Sequence, residues 1–210
     1  MITERVRDQI KNMLSLERRP IIEGWTNQEK AEVLAGIILD HKPQLLVEVG
    51  VFGGRSIFAQ AFALRENGMG LIWGIDPWST DAVLEGDIGE ENRKWWTENV
   101  NLESIYVGFI KAVLEFELTK YCRWIRERGD VACRLFADKS IDLLHLDANH
   151  SELASCREVG CWHKKVKPGG LLVADDVDWV SVSKSLKMIR DLGYKPVVET
   201  MQFAVYQKPE

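Results

Sequence analysis

Four short apolar runs, "LLVEVG" (residues 45–50), "LIWGID" (71–76), "IDLLHLD" (141–147) and "LLVAD" (171–175), each stop at a glycine or a carboxylate. Rich in branched and large apolar side chains, they read as buried strands. The stretches between them have helical spacing. Strands separated by helices of this length predict an α/β doubly wound fold, with a mostly parallel sheet covered on both faces. A parallel sheet collects the carboxyl ends of its strands along one edge, so glycines and acids placed there are neighbours in space.

The remaining elements follow from spacing. Val6, Ile10, Met13, Leu14 and Leu16 predict a helix over residues 3–17 that Pro20 stops. Thr26 and Glu29 form a capping-box pattern that opens a helix to about residue 40. Helices are expected over 56–66, over 90–116 with a break near Asn99, up to 136, over 151–166 and over 182–192. A strand is expected at 121–126, "KPGG" reads as a turn, and "KPVVET" with "QFAVYQK" predicts a closing hairpin through 199–201. The count comes to about seven strands. Residues 79–118 exceed an ordinary crossover and read as an insertion that covers a site or packs as a helical pair.

A chain of 210 residues suits one sizeable domain, taken as residues 25–210 behind a helical extension at 1–24. Composition excludes several classes. With 46% hydrophobic and 28% charged residues the chain is globular, and a net charge of −5 gives no general reason to expect nucleic acid. The start alternates charged and apolar residues too densely for a secretory leader, and no run approaches the roughly 20 apolar residues of a membrane span. Cys122, Cys133, Cys156 and Cys161 contain no C-x-x-C pair, so free thiols in a reducing, cytoplasmic compartment are expected.

"VEVGVFGGRS" is the first chemical signal. Gly50, Gly53 and Gly54 lie between a strand and a helix, where exposed amides and the positive helix end can meet a ligand. Ser56 is either a ligand or a helix cap. Asp76 ends the next strand, where a carboxylate can accept both hydroxyls of a ribose. That much suits either a dinucleotide or S-adenosylmethionine. The turn departs from G-x-G-x-x-G, however, and Glu48 before it would repel a pyrophosphate, whereas it can lie near the ammonium or sulfonium charge of S-adenosylmethionine. A cap on local backbone is the other use for Glu48.

Together, "VEVGVFGGRS", "GIDPW", "IDLLHLDANHS" and "VKPGGLLVADDVDW" resemble a class I S-adenosylmethionine-dependent methyltransferase of the branch containing macrocin-type sugar O-methyltransferases and cephalosporin hydroxylase-like proteins. The resemblance implies strand order 3-2-1-4-5-7-6 with the last strand antiparallel. It implies that the glycine turn, including Phe52, holds the methionine part, that Asp76 holds the ribose, and that the N-terminal helices form a cover or a homo-oligomer contact. In this topology the fourth and fifth strands are neighbours, so Asp147, Asp175 and Asp176 converge. Three close carboxylates need a cation or protons to offset their repulsion, and the all-oxygen set suits Mg2+, with Mn2+ or Ca2+ as substitutes.

His150, three residues beyond Asp147, is the candidate general base: imidazole titrates near neutrality and can take a hydroxyl proton. The alternative is a histidine hydrogen-bonded at a helix end. His145 lies inside an apolar strand and reads as packed, while His41 and His163 have no supporting constellation. Trp78 can stack on adenine or border the acceptor pocket, Trp179 can line the acceptor side, and Arg126 with Glu127 lies where this fold approaches adenine. Trp95 and Trp96 belong to the insertion. The expected activity is methyl transfer to a hydroxyl of a small molecule, such as a sugar or glycosylated natural product. A nicotinamide-dependent oxidoreductase and a non-catalytic binding or assembly protein are the competing readings.

Overall fold

A computed structural model describes residues 2–15, 17, 18 and 22–210. In chain order the elements are α1 (Glu4–Met13), α2 (Gln28–His41), β1 (Leu45–Val49), α3 (Arg55–Asn67), β2 (Leu71–Ile75), α4 (Thr80–Val83), α5 (Glu90–Asn99), α6 (Leu102–Glu115), β3 (Cys122–Ile125), α7 (Gly129–Ala132), β4 (Ile141–Leu146), α8 (Glu152–Trp162), β5 (Val166–Asp175), α9 (Ser183–Asp191), β6 (Lys195–Glu199) and β7 (Phe203–Gln207). Leu16 and Pro20 lie outside the described residues.

The seven strands form one sheet in the order β3-β2-β1-β4-β5-β7-β6. The pairs among β1 to β5 are parallel, and β7 is antiparallel to both β5 and β6. One apolar layer, built on α1, α2, α3 and α6, includes Ile10, Leu34, Phe58 and Phe109. The other, with α8 and α9, includes Val159, Trp162 and Ile189. Central strands buried on both faces explain the unbroken apolar runs. The expected fold class and strand order hold.

Local differences have physical causes. Asn27, not Thr26, caps α2: its side chain accepts from the Lys30 amide at 2.9 Å, a shorter reach for the first turn. "KPGG" is not a free turn but part of β5, which spans Val166–Asp175. Pro168 is accommodated where the β4–β5 register shifts, a position at which a missing amide donor does little harm. α8 stops at Trp162 because the chain turns to deliver the start of β5 beside β4. Within the expected extension, α1 buries Val6, Ile10 and Met13 completely against the core. The four cysteines are free thiols, and among the described residues no helix is long and apolar enough to cross a membrane.

Candidate active site at the carboxyl edge of the sheet

The carboxyl ends of β1, β2, β4 and β5 open into one cavity of about 900 Å³. It lies where the strand order reverses between β1 and β4, the position at which open α/β sheets bind ligands. Gly50 makes the closest approach. A Cβ there would stand 2.0 Å from the Asp147 carbonyl oxygen, and its φ of +89° is one that side chains disfavour. The β1 turn and the loop after β4 therefore meet only because residue 50 is glycine.

Gly50, Phe52, Ser56 and Asp76 all line the cavity. Asp76 accepts from the amides of Val51 (2.9 Å), Phe52 (3.0 Å) and Trp78 (2.7 Å). Of the roughly four acceptor directions of a carboxylate, about one remains for a ligand. Burial, opposed by these amides, raises its pKa. Phe52, Trp78 and Asp176 carry positive φ without being glycine, a concentration of backbone strain at the strand ends.

Other expected contacts are placed differently. Gly53 abuts the backbone of Glu23 and Gly54 lies under the rings of Phe58 and Phe109, so both shape the turn from behind the cavity. Glu48 is fully buried: its Oε1 accepts from the Ser56 hydroxyl at 2.7 Å, and its Oε2 meets His145 Nδ1 at 3.0 Å and the Gln60 amide. It is beneath the cavity rather than in it. The Trp78 indole donates to the Phe52 carbonyl at 2.8 Å and packs on Tyr106 and Phe109, which removes it as an exposed platform. Arg126 lies over Tyr106, 4.4 Å from the ring centre, and pairs with Glu103 outside the cavity.

The acidic floor is built as one chain of ion pairs. His150 Nε2 stands 2.9 Å from Asp176 Oδ2 and 3.6 Å from Asp147 Oδ1. These carboxylates overcome the effect of burial and push the imidazole pKa up to about 10. Asp175, buried below, meets His145 Nε2 at 2.8 Å and is bonded to the Lys30 ammonium, which is also 3.4 Å from Asp147 Oδ2. Against burial, Glu48 and Asp175 push His145 up to about 10. Burial also opposes ionisation of Asp175, yet the His145 hydrogen bond holds its carboxyl well below the usual range. Burial and the nearby Asp175 raise Asp147.

Lys30, His145 and Gln60 are the residues that sequence reading misses. Lys30 carried a signal, because it continues the buried Leu34 and Ile38 stripe of α2. His145 is packed as expected, but it aligns with Glu48 across β1 and β4 and thereby joins two carboxylates. Over this floor, Asn149 donates to the carbonyls of Ala82 (3.1 Å), Val83 (3.2 Å) and Glu85 (3.0 Å). Glu85 pairs with Arg128 and Arg157, and Arg157 first among these partners lowers its pKa to about 2. The exposed indoles of Trp25, Trp95 and Trp179 stand on the same cavity, and Trp25 stacks on Phe52 at 4.9 Å.

A seven-stranded sheet in this order, with its cavity at the switch point, defines the class I methyltransferase fold. Residues 47–177, more than half of the chain, match the family described as Methyltransferase domain, and the chain belongs to that family. Among solved structures it is similar to the methyltransferase PaMTH1 of Podospora anserina, solved bound to SAH, at 10% identity and TM-score 0.66 over 100% of this chain and 89% of that one. It is similar to the O-methyltransferase NovP at 16% identity and TM-score 0.66, over 87% and 79% of the two chains. The O-methyltransferase TomG of Streptomyces achromogenes, involved in tomaymycin synthesis and solved with SAM, matches at 14% identity and TM-score 0.63 over 100% and 92%. These likenesses are of fold. No curated protein matches the chain by sequence.

Proposed function

We propose that this protein transfers the methyl group of S-adenosylmethionine to a hydroxyl of a small molecule, with a sugar or glycosylated natural product as the acceptor class. The observation that carries this reading is the meeting, in one cavity, of Asp76 at the end of β2 with His150, Asp147 and Asp176 beyond β4 and β5. Gly50, Phe52 and Ser56 line the donor side and Asp76 offers its remaining lone pair to the ribose. Glu48, Gly53, Gly54 and Trp78 hold that side in shape. Trp25, Trp95 and Trp179 give the acceptor side aromatic faces on which the apolar face of a ring can rest.

In the reaction the acceptor oxygen attacks the donor methyl carbon in line, the carbon–sulfur bond breaks to leave S-adenosylhomocysteine, and the hydroxyl proton passes to His150 in its neutral form, which Asp147 and Asp176 disfavour and which a divalent cation on those carboxylates would restore. Asp147 and Asp176 stabilise the imidazolium so formed, and the cavity holds both reactants in the attacking geometry. The carboxylates fit a hard divalent cation, since ligand atoms of Asp147, His150 and Asp176 all lie within 4.8 Å of one another and Asp175 adjoins them. Asp147, Asp175 and Asp176 would hold Mg2+, or Mn2+ or Ca2+, which would supply a charge that lowers the pKa of the acceptor hydroxyl.

The test is calorimetric titration with S-adenosylmethionine and with NAD, followed by an acceptor screen read by mass gain. His150→Ala is expected to bind the donor as wild type does and to lower kcat by roughly 10²–10⁴. Saturable binding of NAD without binding of the methyl donor would reject the proposal, and an undiminished kcat in His150→Ala would reject the base.

A further inference from the structure

Lys30 stands against two of the three carboxylates that would hold a metal. Its side chain is 10% exposed, its ammonium is bonded to Asp175 Oδ2 and it lies 3.4 Å from Asp147 Oδ2. It lines the cavity. The same carboxylates carry other partners: Asp175 Oδ2 also faces His145 Nε2 at 2.8 Å, and Asp147 Oδ1 faces His150. An ammonium and a divalent ion brought to these oxygens compete for their lone pairs and repel each other at contact distance. The placement of Lys30 is built into the fold, since Asn27 caps α2 and fixes the first turn while Leu34 and Ile38 anchor the same face.

We propose that Lys30 is a tethered cation that competes with the divalent metal for Asp147 and Asp175, holding the acidic floor together in the metal-free protein and swinging into the cavity when the ion binds. The inference rests on the metal reading given above. Its physical content is a mass-action exchange: the ammonium leaves two carboxylate oxygens, the ion takes them, and no covalent bond changes. In the metal-free protein the tethered charge offsets repulsion among the acids and keeps them in place. Apparent metal affinity is then the intrinsic affinity multiplied by the fraction of molecules in which Lys30 is disengaged.

Binding of Mn2+, followed by the loss of the free-ion electron paramagnetic resonance signal, tests this on the full chain as wild type and Lys30→Met at one fixed pH and ionic strength. The variant is expected to bind Mn2+ more tightly by about tenfold or more, the factor set by a lysine-engaged fraction of roughly nine tenths. Equal or weaker affinity in the variant, with binding saturable in both proteins, overturns the competition and leaves the metal reading standing. Saturable binding in neither protein overturns the metal reading, and the competition with it. Should circular dichroism show that Lys30→Met is unfolded, amine acylation of the wild-type protein, located by mass spectrometry, decides: labelling of Lys30 is expected to rise when Mg2+ saturates the site. Labelling that Mg2+ leaves unchanged overturns the proposal.

Discussion

The three amides that Asp76 accepts belong to the turn after β1 and to the end of β2, so its carboxylate sets the shape of the site as well as offering a contact to a ligand. Asp76→Ala is therefore expected to lower stability by about 1–3 kcal/mol for the orphaned donors and to abolish donor binding; calorimetry and thermal melting of the same sample would separate the two effects. A variant that melts like wild type would show that the amides are satisfied elsewhere. Glu158 gives a prediction of a different kind. It is buried on α8, and that burial, then the charge of Asp130, push its pKa up to about 7 from an ordinary 4.5. Between those values the folded protein keeps a proton that the unfolded chain releases, so stability falls as pH rises through the window and the loss is complete above about pH 7. Asp76 and Asp147, which burial also raises, and His145 and His150, held up to about 10, add slopes of the same sign. Glu158→Gln should remove this carboxyl's share, on the order of 3 kcal/mol between pH 4.5 and pH 8, as read from denaturant midpoints at the two pH values; an unchanged slope would mean that the other groups supply all of it. At this scale the meeting of Asp147, Asp175 and Asp176 was legible because they lie at the ends of strands that the resemblance makes neighbours, and His150 was legible from its place three residues after Asp147. His145 and Lys30 were not, because periodicity reports that a side chain is buried and is silent on what it meets there.

The segment expected as a single insertion divides at Asn101, whose side chain caps α6. Leu102, Ile105, Phe109, Ala112 and Val113 of α6 are buried in the core, whereas α5 has no buried residue. The cover over the cavity is therefore α4, α5 and the loop between them, held by polar ties from Asn149 and by the pairs of Glu85 with Arg128 and Arg157. Few buried apolar contacts mean a low cost of local opening. Hydrogen exchange should find α5 poorly protected and α6 protected close to the global limit, with α5 slowed on addition of S-adenosylmethionine; equal protection of the two helices in the free protein would remove α5 as a cover that opens. The break near Asn99 was readable from the sequence, but the difference in anchoring was not, since both halves carry tryptophan, valine or leucine and only packing decides which face finds a partner. "KPGG" misled for the opposite reason. Proline and glycine mark turns in isolation, yet here they sit at a register shift inside β5, where the neighbouring strand supplies the pairing.

Across the whole molecule, stability and chemistry are segregated. Two apolar layers on the faces of the sheet hold the fold, while Asp76, Asp147, Asp175 and Asp176 crowd the carboxyl edge with Lys30, His145 and His150 among the neighbouring cations. The strand order was legible only through the family that the motifs resemble, since element order alone leaves several topologies open; which side chain would neutralise the edge was not, since it comes from α2, far away in sequence. A ligand that enters the cavity touches the turn after β1, the end of β2, the loops after β4 and β5, and the cover. Binding to the folded form alone therefore stabilises the molecule as a unit. S-adenosylmethionine at about 100 times its Kd should add about 2.7 kcal/mol, which for a chain of this size is a rise in Tm of roughly 5–10 °C. NAD at the same concentration should leave Tm unmoved, because its pyrophosphate would have to approach the acids at this edge while the nearest ammonium is already engaged by Asp147 and Asp175. A scan of both ligands by thermal melting at fixed protein concentration checks this, and a larger rise with NAD than with the methyl donor would reverse the assignment of the cofactor while leaving the fold as described.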